Sequence, residues 1–208
     1  MGEAVAELEK SGAYAGALTV GVLALQGDFD AHRRRLEQLG AEVVLVRNAD
    51  QLDRIDALII PGGESSAFLK LLGEEFLQKL RDFVRMKPTF GTCAGAILLA
   101  TDVQNPPQMS LGALDITVER NAYGRQIDSS IRTAETQLAG GPMEAVFIRA
   151  PKITRVGPNV EVLARQSGDP VLVRHANVMA ATFHPELSDD TRVHEAFIEM
   201  ARALSAKC

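Results

Sequence analysis

The chain has 208 residues, 46% of them hydrophobic and 24% charged, with a formal net charge of −5 and a pI of about 5.4. That length supports one good-sized core, the composition is that of an ordinary globular protein, and the acidic balance gives no electrostatic case for nucleic acid or an anionic membrane as partner. Two distant cysteines, Cys93 and Cys208, form neither a disulfide framework nor a zinc pattern, so a reducing cytoplasm is the expected compartment.

Residues 1–16 read as a flexible extension outside the core, with Glu3, Glu7 and Glu9 where a secretory signal would be basic. Residues 17–208 read as one domain. "LTVGVLAL" (18–25) is an unbroken apolar run, as expected of a strand buried on both faces of a parallel sheet. An amphipathic helix is expected over 30–40, stopped by Gly40. Strands follow at 42–47 and 56–63, then one or two helices over 65–86 with a break at Gly73, a strand at 88–92 and a helix at 94–101. This alternation predicts β-α-β units with right-handed crossovers.

The second half changes character. Short strands at 113–120, 129–138, 144–150, 160–166, 170–176 and 178–184 are separated by turn residues, with little helix between them. A final amphipathic helix is expected over 189–204. The expected fold is a flavodoxin-like α/β domain: an open, mostly parallel sheet flanked by helices, with antiparallel strands added in the second half.

"FGTCAG" (90–95) places a strand, Gly91-Thr92-Cys93-Ala94-Gly95, and then a helix in succession. This is the cysteine form of a nucleophile elbow. A tight turn there strains the backbone of Cys93 and lifts its sulfur above the sheet edge, while the helix beginning at Ala94 aims free N–H groups at it. The competing reading is a small buried cysteine beside helix-packing glycines.

A nucleophilic thiol needs a base. Of the four histidines, His32 and His194 lie on helices among charged residues and are expected on a solvated face, and His175 sits beside Arg174 in a strand with no assigned role. His184 ends an apolar strand and is followed by Pro185 and Glu186. Two residues apart on a strand means the same side, so Glu186 can hydrogen-bond one ring nitrogen of His184 and leave the other for the thiol. A strand-end turn is the bland alternative for "HPE". "PGGES" (61–65) follows a buried strand at the same sheet edge. Its glycines can aim the Gly63 N–H at a developing oxyanion opposite the Ala94 N–H, or the segment is a plain turn with Ser65 or Ser66 as helix cap.

"LALQGDFDAH", "PGGESSA", "FGTCAG", "ERNAYGRQ", "FIRAP" and "FHPEL" occur in this order. Together they resemble the glutaminase subunits of pyridoxal 5′-phosphate synthases, a branch of the triad-type (class I) glutamine amidotransferase family, from about Leu18 to about Leu204. "GTCAG" and "HPE" carry the triad; "ERNAYGRQ" and "FIRAP" are specific to the vitamin B6 branch. The resemblance implies that Cys93 attacks the side-chain amide of L-glutamine, that His184 moves the proton and Glu186 orients it, and that a γ-glutamyl thioester is hydrolysed to glutamate. It implies glutamine contacts at Gly63, Glu64, Ser65, Arg120, Ile148 and Arg149, oxyanion donors at Gly63 and Ala94, and no metal or organic cofactor. It further implies delivery of ammonia to a separate (β/α)₈-barrel synthase subunit in a large hetero-oligomer. The rivals are the glutaminase of another synthase, such as imidazole glycerol phosphate synthase, and a Cys-elbow hydrolase or peptidase.

Overall fold

The computed structural model describes residues 18–122 and 129–206; the N-terminal extension at 1–16, Cys208 and the end of "ERNAYGRQ" lie outside the described residues. In chain order the elements are β1 (Thr19–Leu23), α1 (Phe29–Gln38), β2 (Glu42–Val46), a 3-10 helix (Ala49–Arg54), β3 (Ala57–Ile60), α2 (Ser65–Met86), β4 (Thr89–Thr92) and α3 (Ala94–Leu99). There follow β5 (Ala100–Gln104), β6 (Leu114–Glu119), β7 (Ser130–Thr136), β8 (Met143–Phe147), β9 (Lys152–Val156), β10 (Glu161–Gln166), β11 (Asp169–His175), β12 (Val178–Ala181), a 3-10 turn (Pro185–Leu187) and α4 (Arg192–Ser205).

The main sheet has nine strands in the order β2-β1-β3-β4-β12-β11-β10-β7-β8. Its first five strands pair in parallel and the rest pair antiparallel, beginning at the β12–β11 step. Every residue of "ALII" in β3 is buried, because a central parallel strand is covered on both faces. Ala57 and Ile59 face one apolar layer with α1 and α4 residues Leu36, Phe197 and Ile198. Leu58 and Ile60 face the other, with Phe68, Leu77 and Leu80 of α2 and the apolar residues of α3. The chain leaves β1 for β2 on one side and returns to β3 on the other, so the loops after β1 and β3 flank a switch point where a crevice opens.

The open helix-flanked sheet and the strand-rich second half are as the sequence implies, and α2 kinks at Gly73 (φ 67°, ψ 175°) as expected. Two details differ. The helix after Cys93 stops at Leu99, and residues 100–104 extend as β5. The strand at 114–119 does not join the main sheet: it sits between β5 and β9 in a second, three-stranded sheet. Leu114, Ile116, Val118, Val103 and Ile153 give this small sheet its own apolar face, which packs into the α2–α3 layer. β9 has the pattern iBeei over "KITRV", a half-exposed strand too short and polar to stand out in sequence.

Candidate active site

β4 and β12 are adjacent and parallel, with Thr92 opposite Ala181. The chain leaves both strands at the same edge, so Cys93 and His184 emerge side by side. The Cys93 N–H donates to Ala181 O at 2.8 Å, which ties the turn to the neighbouring strand. Cys93 takes φ 49° and ψ −103°, a left-handed conformation that strains any residue with a Cβ. The glycines around it are required by close approach: a Cβ on Gly95 would collide with Ile60 O, and one on Gly91 would collide with the Gly95 backbone. Cys93 is thus the N-cap of α3, with the Ala94 N–H in the helix's unpaired first turn.

His184 lies three residues beyond β12, and the geometry that returns Glu186 to it differs from the strand spacing expected. Pro185 starts a 3-10 turn, and that turn brings Glu186 Oε1 to 2.7 Å from His184 Nδ1. The His184 N–H also donates to Val146 O at 2.8 Å, anchoring it to the end of β8. Burial works to lower the His184 pKa, but hydrogen bonds to Cys93 and Glu186 and their charges overcome it and push it up to about 10. The imidazole therefore holds a proton at neutral pH.

One pocket is lined by Cys93, His184, Gly63, Glu64, Ser65, Arg120, Ile148 and Arg149, so the residues expected to hold glutamine converge on the candidate thiol and base. Asp28, Ile97 and Asn121 complete the lining and were not anticipated. Ala94 and Glu186 are buried behind it. Arg149 carries a strained φ of 45°, which turns the chain leaving β8 into the pocket wall.

The loop after β3 is held from below. Gln26 Nε2 donates to Glu64 O at 2.5 Å, and the Glu64 N–H donates to Gln26 Oε1 at 3.3 Å. The α2 cap is Glu64, not Ser65 or Ser66: its carboxylate accepts from the Ser66 and Ala67 N–H groups at 3.0 and 2.9 Å. The Ser66 hydroxyl above all lowers the Glu64 pKa. Arg120 Nη2 lies 3.3 Å from Glu64 Oε1 across the pocket mouth. Asp28, His184 and Glu186 bring donor atoms within 4.8 Å of one another, and two of those residues are joined by the His184 Nδ1–Glu186 Oε1 hydrogen bond.

The largest departure from the sequence reading concerns His32 and His194. Neither is on a solvated face; both are fully buried behind Glu186. His32 Nε2 lies 3.1 Å from Thr92 Oγ1 and 3.3 Å from Glu186 Oε2. His32 Nδ1 lies 3.0 Å from His194 Nε2. Helical spacing held the signal: His32 is four residues from buried Leu36, and His194 is three and four from buried Phe197 and Ile198. Arg33, Arg34 and Arg35 beside His32 masked it.

Burial pulls the His194 pKa down to about 3, and His32 is lowered for the same leading reason. Both are neutral in the fold and would take a proton when unfolded. Stability is therefore lost as pH falls below the ordinary 6.5, with His194 alone contributing on the order of 4 kcal/mol by the time pH reaches about 3. His184 acts at the other end, adding stability below 6.5 that is lost as pH rises towards 10. Denaturant midpoints measured from pH 7 to 4 should fall steeply for wild type and less steeply for His194→Leu; equal slopes would reject this assignment.

The sequence profile of the SNO glutamine amidotransferase family matches residues 22–203. A pyridoxal 5′-phosphate synthase subunit PdxT from Koribacter versatilis is 65% identical over 185 residues, covering 89% of this chain and 96% of its own length. The subunit of the same name from Solibacter usitatus is 54% identical over 186 residues, covering 86% and 97%. Among solved structures, one described as a glutamine amidotransferase superposes with a TM-score of 0.81 at 48% identity, covering 88% of this chain and 98% of its own. PurLQS from Thermotoga maritima, at 16% identity and a TM-score of 0.67, shares the fold, covering 88% and 99%.

Proposed function

The chain belongs to the SNO glutamine amidotransferase family, and from that premise we propose that it is the glutaminase subunit of a pyridoxal 5′-phosphate synthase, with Cys93, His184 and Glu186 as its triad. The observation that carries the reading is the convergence of the strained Cys93, the Glu186-bonded His184 and the expected glutamine-binding residues on one pocket.

Cys93, its thiol proton already transferred to His184, attacks the δ-carbon of the glutamine side-chain amide through its sulfur. The oxyanion is met by the Gly63 and Ala94 N–H groups. His184 passes its proton to the amide nitrogen, the C–N bond breaks, and ammonia leaves. A water then gives its proton to His184 and attacks the thioester, and Cys93 leaves as glutamate forms. Glu186 accepts from His184 Nδ1 throughout, so the proton that is transferred is the one on Nε2. Arg120 and Arg149 supply guanidiniums suited to the substrate α-carboxylate. Ammonia passes to a (β/α)₈-barrel synthase subunit within a large hetero-oligomer. A cytoplasmic setting, where a free nucleophilic thiol stays reduced, suits this chemistry; no described helix is long and apolar enough to cross a membrane.

A glutaminase that fired alone would waste glutamine, and the loop after β3 has the means to prevent it. Gly62 lies so close to His184 that a Cβ there would collide with the ring, and Gly63 adopts φ 139° with the Gln26 amide 3.1 Å from where its Cβ would sit. The Gly62–Gly63 peptide turns its N–H inward when the synthase docks, completing the oxyanion site. The test is steady-state glutamate production with and without saturating synthase. The expected result is weak activity alone and a rise of about 100- to 1,000-fold with partner, the usual worth of one oxyanion donor, with the rise largely lost in Gly63→Ala. Equal rates with and without the synthase reject the switch.

A further inference from the structure

Glu186 is a carboxylate with no exposed side-chain surface, and His184 occupies only one of its oxygens. The other, Oε2, is fully buried and has no hydrogen-bond partner of its own among the described residues. His32 Nε2 lies 3.3 Å from it and 3.1 Å from Thr92 Oγ1. An unpaired buried carboxylate oxygen is costly, so this contact has a clear purpose. It also links separate parts of the site: His32 comes from α1, Thr92 immediately precedes Cys93, and Glu186 follows His184.

The proton positions follow from the acceptors. Facing a carboxylate, His32 Nε2 must carry the hydrogen, which leaves its Nδ1 bare. The only way to fill the 3.0 Å gap to His194 is then a hydrogen on His194 Nε2. His194 Nδ1 ends this relay as a bare lone pair, and it is buried without a partner among the described residues. Every N–H in the chain thus points towards Glu186. His194 is itself wedged by ring contact with Phe90 at 6.2 Å, nearly edge to face.

We propose that His32, braced by His194, is the positioning residue for Glu186, fixing the carboxylate through Oε2 so that Oε1 faces His184. The assignment rests on the Cys93–His184–Glu186 reading above. His32 touches no substrate atom; it acts through Glu186 alone.

The test uses the full chain saturated with its synthase subunit, measuring kcat and KM for glutamine. His32→Leu removes the donor at similar volume, and kcat is expected to fall about 10- to 100-fold, as for other partners that orient a catalytic side chain, with KM changed less than about twofold. His32→Gln keeps one donor and one acceptor and is expected to recover most of the lost rate. Glu186→Gln and the double variant Glu186→Gln/His32→Leu are expected to share one kcat, because His32 has nothing left to position. The double variant also buries no unpaired charge, so it decides the matter even if His32→Leu alone does not fold. A folded His32→Leu with wild-type kcat, a His32→Gln as slow as His32→Leu, or a further loss in the double variant each overturn the proposal. A readout independent of turnover separates it from the catalytic reading: in histidine-labelled protein the downfield His184 Nδ1 proton should persist in His32→Gln and shift in His32→Leu. If wild type releases no ammonia, the catalytic reading falls, and this resonance still decides whether His32 positions Glu186.

Discussion

Replacing Cys93 with alanine should reduce glutamine hydrolysis by about a million-fold, the scale on which removal of a triad nucleophile disables comparable enzymes, without a change in melting temperature. The two outcomes separate because chemistry and fold depend on different atoms. The fold needs a small residue that tolerates φ 49° beneath the Ala181 hydrogen bond, and alanine carries the same Cβ strain as cysteine. Cys93 lines the pocket and belongs to neither apolar cluster of the core. Cys93→Gly should be equally inactive yet more stable than wild type by about 1 kcal/mol, since glycine takes positive φ without the Cβ penalty. That would mark the strain as retained for the thiol's placement. Glutamine analogues with an electrophilic side chain should label Cys93 and spare Cys208. Labelling of Cys208 alone, or measurable turnover in Cys93→Ala, would falsify the nucleophile assignment.

The elements that build the catalytic edge were the most legible in sequence, for a physical reason. "LTVGVLAL" and "ALII" are apolar without alternation because both faces are covered, and the glycines of "GTCAG" are imposed by backbones in near contact. The small second sheet was not legible. β6 and β9 pair across 33 or more residues, β6 buries Ile116, Thr117 and Val118 in succession and β9 buries only Ile153, and period-2 patterns do not say which sheet a strand joins. His184 and Glu186 were found by spacing, although a 3-10 turn rather than a strand brings them together. His32 and His194 were hidden for the converse reason. Their neighbours Arg33, Arg34 and Glu195 are polar, and local composition outweighed the three- and four-residue spacing that places each on the buried stripe. Burying a histidine is unfavourable unless it is hydrogen-bonded, and the bonds that offset it come from 60 or more residues away.

His184→Asn and Glu186→Gln should differ by orders of magnitude. His184 moves the proton in both half-reactions, so His184→Asn should be as inactive as Cys93→Ala. Glu186 only orients and charges the imidazole, and Glu186→Gln should retain more, a loss of about 10,000-fold. The buried histidines explain why a near-isosteric change is so damaging. The carboxylate is hydrogen-bonded to His184 Nδ1 at 2.7 Å through one oxygen, and its other oxygen lies 3.3 Å from His32 Nε2. An amide has one acceptor and one donor, so it must turn its NH₂ group towards one of them. If that is His184, the base is pushed out of its tautomer. If it is His32, the protons of His32 and His194 must reverse together, and the reversal ends with an N–H at His194 Nδ1, which has no acceptor among the described residues. Leaving that donor buried costs about 1–3 kcal/mol, so Glu186→Gln should also be less stable than wild type at neutral pH. The carboxylate is one of the groups that raise the His184 pKa, so the variant's imidazole should titrate at lower pH. Steady-state kinetics with saturating synthase, a denaturation curve at neutral pH and a His184 titration check the three parts. Full activity in Glu186→Gln would make Glu186 a turn residue and end the triad reading.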